Sequence, residues 1–330
     1  MPITLDGSNG ITTPMYNGSI TANAVTPVTG FKNRIINGGM VIDQRNAGAS
    51  ISVAAVTPST YFPVDRFFCQ STGTAFTAQR VTGSGSFRNA LRLTGAASNT
   101  GAYTTQRIES FNTYDLVSQS VTLSAVLSRS SGTTCTWTAY AAGSADNYSS
   151  LTTIATGSFT LTSTATAYSA TFNAGANAGN GIMIEFFWGA LGAGVTVDIT
   201  GVQLEVGSTA TSFDYRPYTT ELQLAQRYYF QIADSYAYFA GKQQSTNQCY
   251  FTVQAPVSMR ATPTPTLGAG TKFVFAQSGF SSSTSTAVTL TSISTNYIYM
   301  SLLLGGFSGM ADNYGAIFRF DATLQFSSEL

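Results

Sequence analysis

From residue 31 onward, apolar and polar positions alternate in short runs separated by clusters of Gly, Ser, Asn and Thr. A period of two is the signature of a strand with one face on a core and the other toward water. In Val121-Thr122-Leu123-Ser124-Ala125-Val126-Leu127 the odd positions are apolar and share one face, and Cys135, Trp137 and Ala139 repeat the pattern. The run Ile182 to Trp188 is apolar on both faces apart from Glu185, which predicts a central strand covered on both sides. Further runs at 62–70, 75–81, 91–94, 102–108 and 195–204 complete a set of about eight short strands, the pattern of a two-sheet sandwich of jelly-roll size.

The text differs at either end of this block. Residues 1–30 scatter Ile3, Leu5, Ile11 and Ile20 among glycines, asparagines and prolines, too few apolar groups to close a core. The segment is either a free tail or an arm ordered against a partner that completes its backbone hydrogen bonds. One helix is expected, with Thr220 as N-cap, Gln223 reaching back to it, and Leu222, Ala225 and Tyr229 on one face; Pro217 marks its boundary. Alternation resumes at 236–239, 250–253, 273–275, 298–304 and 317–320, and Pro263 and Pro265 favour extended backbone. The expected organisation is all-β: an extended arm at 1–30, a jelly-roll β-sandwich at 31–218, a connector helix at 219–230 and a smaller C-terminal β domain at 231–330.

Composition narrows the function. Charged residues are 9% of the 330, against about a quarter in an ordinary globular protein, and 15 basic side chains cancel 15 acidic ones. This balance gives no steering toward nucleic acid or an acidic membrane, and no apolar run is long enough to span a bilayer. Met1 to Asp6 has neither a basic start nor the apolar run of a signal peptide. There is no histidine, which removes the commonest general base, the commonest zinc ligand and every Ser-His-Asp or Cys-His arrangement. Cys69, Cys135 and Cys249 are odd in number, far apart and set in apolar runs, so they read as buried free thiols. No cofactor or metal is expected.

Several stretches carry a resemblance. Phe31-Lys32-Asn33-Arg34-Ile35-Ile36-Asn37-Gly38-Gly39-Met40-Val41-Ile42-Asp43-Gln44-Arg45-Asn46, read as strand text, opens the sandwich. Val64-Asp65-Arg66-Phe67-Phe68, Gly201-Val202-Gln203-Leu204-Glu205-Val206-Gly207-Ser208 and Phe213-Asp214-Tyr215-Arg216-Pro217-Tyr218 follow in order, the last running into Glu221 to Tyr229. Together they resemble the sandwich of bacteriophage tail-fibre and related virion proteins, and Leu5 to Thr12 looks like a virion-proximal fibre segment. The resemblance covers residues 1 to about 230. It implies a jelly roll similar to carbohydrate-binding modules, a homotrimer, assembly into the virion in the host cytoplasm, and attachment through residues 1–30 to a tail, baseplate or capsid protein. The partner at the other end would be a bacterial surface polysaccharide. A capsid head fibre or decoration protein without a receptor is the alternative.

Sugar binding needs flat aromatic faces for the C–H side of a pyranose and amides or carboxylates for its hydroxyls. The 17 Tyr and 22 Phe supply the first. Trp137 and Trp188 stand in alternating strands and read as core. Asp312, Asn313 and Tyr314, after the glycines 305, 306 and 309, are the expected glycan-contact residues at a distal tip. Glycoside hydrolysis needs only two carboxylates at a set separation, and Glu185 and Asp198 are the conceivable pair. Glu185 is expected to pair with an arginine instead, and Asp43 with Arg45, Asp65 with Arg66 and Asp214 with Arg216 read as ties that pin strand ends. The chain is therefore expected to bind without catalysing.

Overall fold

The computed structural model describes residues 4–6, 10–12, 31–55, 61–233, 238–276, 279–284, 287–308 and 315–330. The chain divides into two compact units, Met1–Lys32 and Asn33–Leu330. In the first, β1 (Thr4–Asp6) and β2 (Gly10–Thr12) form an antiparallel hairpin with Leu5 opposite Ile11.

The second unit begins with two six-stranded antiparallel sheets. Their strands are β3 (Ile51–Val53), β4 (Tyr61–Val64), β5 (Phe67–Gly73), β6 (Phe76–Thr82), β7 (Asn89–Thr94), β8 (Asn99–Ile108), β9 (Ser120–Arg129), β10 (Thr134–Ser144), β11 (Asn147–Thr160), β12 (Thr166–Asn173), β13 (Ile182–Gly189) and β14 (Thr196–Val206). One sheet runs β11-β10-β13-β8-β5-β4 and the other β12-β9-β14-β7-β6-β3. Inward side chains from both, including Cys69, Leu91, Leu123, Trp137, Ile184 and Ile199, form one apolar core, so this is the expected sandwich. Val121, Leu123, Ala125 and Leu127 are all buried, and β13 lies between β10 and β8, central in its sheet as expected, but the expected cover on both faces is incomplete because outward Glu185 and Phe187 are only half-buried. Trp188 is buried and donates from Nε1 to Thr104 Oγ1 at 3.0 Å, which satisfies the one polar group its burial removes from water.

Residues 33–46 are not a strand. They form a buried chain of bends and turns in which Asn37 and Met40 take left-handed φ of 62° and 56°. Such backbone cannot join a ladder, and side chains satisfy it instead. Asn37 donates from Nδ2 to the carbonyls of Ile42 and Asp65, both at 2.8 Å, and accepts from the Ile42 N–H, while its own N–H donates to Glu221.

Helix α1 (Tyr218–Gln226) follows the sandwich. The expected capping box is not made: Pro217 is the N-cap and no side chain caps it. Pro217 has extended backbone with ψ of 143° and its carbonyl accepts the first helical hydrogen bond, from the Glu221 N–H at 3.0 Å, while the Glu221 side chain, buried with Arg216 at 3.3 Å, holds the helix start to the 33–46 segment. Tyr229, expected on the helix face, starts the next strand.

Beyond the helix are β15 (Tyr229–Ile232), β16 (Tyr238–Ser245), β17 (Gln248–Gln254), β18 (Thr264–Leu267), β19 (Lys272–Ala276), β20 (Gly279–Ser283), β21 (Val288–Ile293), β22 (Tyr299–Gly305), β23 (Gly315–Phe320) and β24 (Leu324–Ser327). They build a three-stranded sheet β15-β24-β18 and a seven-stranded sheet β20-β19-β23-β16-β17-β22-β21. A second core, with Phe230, Phe251, Leu302, Phe318 and Phe326, fills this part. Polar contacts tie it to the sandwich: Arg227 pairs with Glu109 at 3.0 Å, and Gln44 donates to the Tyr229 carbonyl at 2.9 Å.

The charge ties differ from those expected of sequence neighbours. Asp65 pairs with Arg45 at 3.3 Å rather than with Arg66, and Asp43 faces Arg80 at 3.9 Å rather than Arg45. Asp65 and Arg66 form the turn between β4 and β5, where Arg66 has φ of 70°, so the two side chains leave the turn in different directions. Asp214 and Arg216 do approach, at 3.9 Å. All three cysteines are free and buried.

Candidate functional site

The outer face of the β11-β10-β13-β8-β5-β4 sheet carries the chemistry the sequence leads one to look for. Because β13 is central, its outward residues each sit between partners on β10 and β8. Phe187 lies between Thr136 and Tyr103, and Tyr103 is in turn opposite Gln70 on β5. One row along the strands, Glu185 lies between Thr138 and Thr105. In the next, Met183 lies between Tyr140 and Arg107.

The two ends of this face have different fates. Around Met183, the side chains of Phe68, Ala142 and Tyr148 are buried and pack with Phe62, Tyr140 and Leu330. The chain's last residues thus cover that end, with Arg107 donating to the Leu330 carbonyl. Around Phe187 the face is open. Phe187 and Tyr103 stack with ring centroids 4.6 Å apart and planes at 29°. Gly101 makes this possible, since a Cβ there would lie 3.1 Å from Phe187 Cε2 and 2.5 Å from Thr72 Oγ1. Beside Phe187 is a hollow of about 360 Å³, edged by Thr134, Thr136 and Arg129. Arg129 is held in place by donating to the Trp188 and Ala190 carbonyls.

Glu185 stands where the covered and open ends meet. Its Oε1 accepts from the Tyr140 hydroxyl at 3.4 Å, and among the described residues no arginine forms the ion pair expected of it. Burial pushes its carboxyl above the usual range, and the Tyr140 hydrogen bond pulls it partly back. The Tyr140 and Tyr103 hydroxyls are raised by burial first and by the Glu185 charge second. A rigid aromatic pair beside hydroxyls, a carboxyl and a guanidinium is suited to hold a polyhydroxylated ring.

Glu185 and Asp198 are not brought together. Val197 and Ile199 point into the core, so Asp198 points out of the opposite sheet, with the whole sandwich between it and Glu185. There it takes a bidentate contact from Arg92, Nε–Oδ1 at 2.7 Å and Nη2–Oδ2 at 2.8 Å. Two carboxylates on opposite outer faces cannot flank one glycosidic bond. Asp312, Asn313 and Tyr314 lie outside the described residues. The Tyr103–Phe187 site was missed in the sequence because both residues read as ordinary strand positions; the one signal was an acidic residue, Glu185, inside an otherwise apolar run.

Comparisons with known proteins add the following. No family model matches the chain, and no curated protein matches it. Among solved structures, it is similar over 53% of its length to the enzymatically active domain of tailspike protein 4 of bacteriophage CBA120, at 15% identity and a TM-score of 0.35, a match that spans 21% of that chain. It is similar over 52% of its length to a CBM4 structure, covering 98% of that chain at 14% identity and a TM-score of 0.33. A Stig cyclase from Fischerella sp. TAU is matched over 55% of this chain and 99% of that one, at 13% identity and a TM-score of 0.32. At these values the likenesses assign neither ligand nor activity, and the site rests on its own geometry.

Proposed function

We propose that the chain is a non-catalytic glycan-binding protein of a phage particle, a homotrimeric fibre that attaches to a host-surface polysaccharide. The observation that carries the binding role is the Tyr103–Phe187 stack, fixed on a central strand pair and half-exposed beside a hollow edged by Thr136 and Arg129, one row along the strands from Glu185. Aromatic platforms on strands stay in register with little ordering cost, which suits a surface that must meet repeating sugars. The virion role is supported by the stretches at 31–46, 64–68, 201–208 and 213–229, and residues 1–30 are the segment assigned to particle attachment. Single sugar sites bind weakly, and a trimer would multiply them through effective concentration.

The binding role is tested by presenting the full chain to an array of bacterial surface glycans. Phe187→Ala should weaken binding at least tenfold for the glycans that stack on this pair, while melting within a few degrees of the parent. Unchanged binding by Phe187→Ala would place the ligand elsewhere. Immunogold labelling of intact virions tests the particle role and separates tail from head, and the trimer is checked by mass photometry at micromolar concentration.

A further inference from the structure

The opposite outer face of the sandwich carries a second feature of different construction. A groove of about 470 Å³ runs between the 83–88 loop and the 207–215 segment, over Ser124, Val126 and Ser169 of the sheet. Past Val126 lies a further hollow of about 240 Å³, edged by Ser128, Thr200, Arg92 and Asp198. The groove wall is a cluster of three rings. Phe87 meets Phe213 edge-on at 5.1 Å and stacks with Tyr215 at 5.7 Å and 30°, and Phe213 meets Tyr215 edge-on at 4.9 Å.

The backbone is shaped to seat this cluster. The β14 ladder shifts register between Thr200 and Gln203, and within the shift Gly201 has φ of 59°. A Cβ on Gly201 would lie 2.5 Å from Phe87 Cζ, so the ring rests on the strand at the point where the side chain is missing. Tyr215 is held on three sides: by the Phe87 face, by the Phe213 edge, and by its hydroxyl, which is 2.9 Å from Ser86 Oγ. Even so it is 58% exposed. An aromatic ring fixed this firmly yet left open is a preorganised stacking surface.

The far end of the groove is polar and electrically neutral. The Arg92–Asp198 pair satisfies itself with two hydrogen bonds while keeping 42% and 25% of the two side chains exposed. Such a pair offers donors and acceptors side by side to neighbouring hydroxyls without favouring an anion or a cation. We infer that this groove is a second sugar subsite, separate from the Tyr103–Phe187 surface, which stacks a neutral pyranose on Tyr215 and directs hydroxyls of the same oligosaccharide toward Arg92 and Asp198. The inference rests on the glycan-binding reading but on different residues, so each can fail alone.

The test uses the full-length protein and an array of neutral and acidic hexose oligosaccharides, with Phe187→Ala as the background. In that background a set of neutral oligosaccharides should remain bound, and adding Tyr215→Ala should weaken it at least tenfold. Tyr215→Phe, which keeps the ring, should lose no more than a few-fold. A melting curve for Tyr215→Ala close to the parent's shows that the loss is local, as its exposure leads one to expect. The inference is overturned if Phe187→Ala alone abolishes all binding, or if the remaining binding ignores Tyr215→Ala. It is also overturned if only acidic sugars remain bound, or if Tyr215→Ala changes the oligomeric state with the array unaltered, which would make the groove a contact between copies of the chain.

Discussion

Arg66 donates to Glu329, a residue 263 positions later, and the pair is nearly withdrawn from water, with side-chain exposures of 2% and 9%. Arg66 sits on the turn between β4 and β5 of the sandwich, whereas Glu329 directly follows the β24 end of the second β part. Arg45 takes the other Glu329 oxygen at 3.0 Å, and both guanidinium groups lie over aromatic faces, Arg66 over Tyr228 at 3.4 Å and Arg45 over Tyr229 at 3.6 Å. The last residues of the chain therefore clamp the two β parts together. They also cover one end of the outer sheet face and so set the edge of the open one.

Removing the Glu329 carboxylate leaves two partly or wholly buried guanidinium groups short of a partner. Breaking a buried pair from one side costs about 3–5 kcal/mol. Glu329→Ala should lower stability by about 3 kcal/mol in urea unfolding, and Glu329→Gln, which keeps the shape and part of the hydrogen bonding, by less. A change below about 0.5 kcal/mol for Glu329→Ala, the range of ordinary surface substitutions, would mean that the clamp adds nothing.

Glu185 gives a pH signature. Burial raises its folded-state pKa above the ordinary glutamate value of 4.5, so the folded protein holds this proton more tightly than the unfolded chain. Its ionisation therefore weakens folding as pH rises from about 4.5 through the folded value, and the weakening is complete above it. Glu185→Gln should raise the melting temperature at pH 7, and the gain over the parent should disappear below pH 4.5. A gain independent of pH between 4 and 8 would assign the effect to packing.

The cysteines should be silent in the native protein. Burial pushes the thiols of Cys69, Cys135 and Cys249 up to about 12, and thiolate is the reactive form. Reaction with a disulfide reagent at pH 8 should show no fast thiol before unfolding and three equivalents in denaturant, matching the three cysteines. A fast-reacting native thiol would place that cysteine at an opening of the core.

Gly201 links the backbone to the groove. Alanine there meets both a left-handed φ and the Phe87 ring, and should destabilise by about 1–3 kcal/mol. Because Phe87 supports Tyr215, the same change should raise Tyr215 ring mobility in NMR relaxation. Gly207→Ala, with φ of 121° but nothing within 4 Å of the added Cβ, separates backbone strain from the collision with the ring.

The all-β class and the sandwich were legible in the sequence, because alternation over Val121 to Leu127 and Ile182 to Trp188 reports directly which side chains leave water. Burial of Trp137, Trp188 and the three cysteines followed from the same pattern. What the pattern could not carry was anything set by partners distant in sequence. Residues 33–46 look strand-like in their apolar content, but left-handed backbone at Asn37 and Met40 and side-chain hydrogen bonds to the turn and the helix make them a buried loop. Adjacent opposite charges, Asp65 and Arg66, look like a pair, but a turn sends Asp65 to Arg45 and Arg66 to Glu329. Glu185 and Asp198 are 13 positions apart and could be read as one site; the crossing of the chain between sheets puts them on opposite faces. The periodicity of the sequence determined which residues face the core. Only the tertiary structure decided which outward residues meet, because sheet order and register, rather than spacing along the chain, bring Phe187 to Tyr103 and Tyr215 to Phe87.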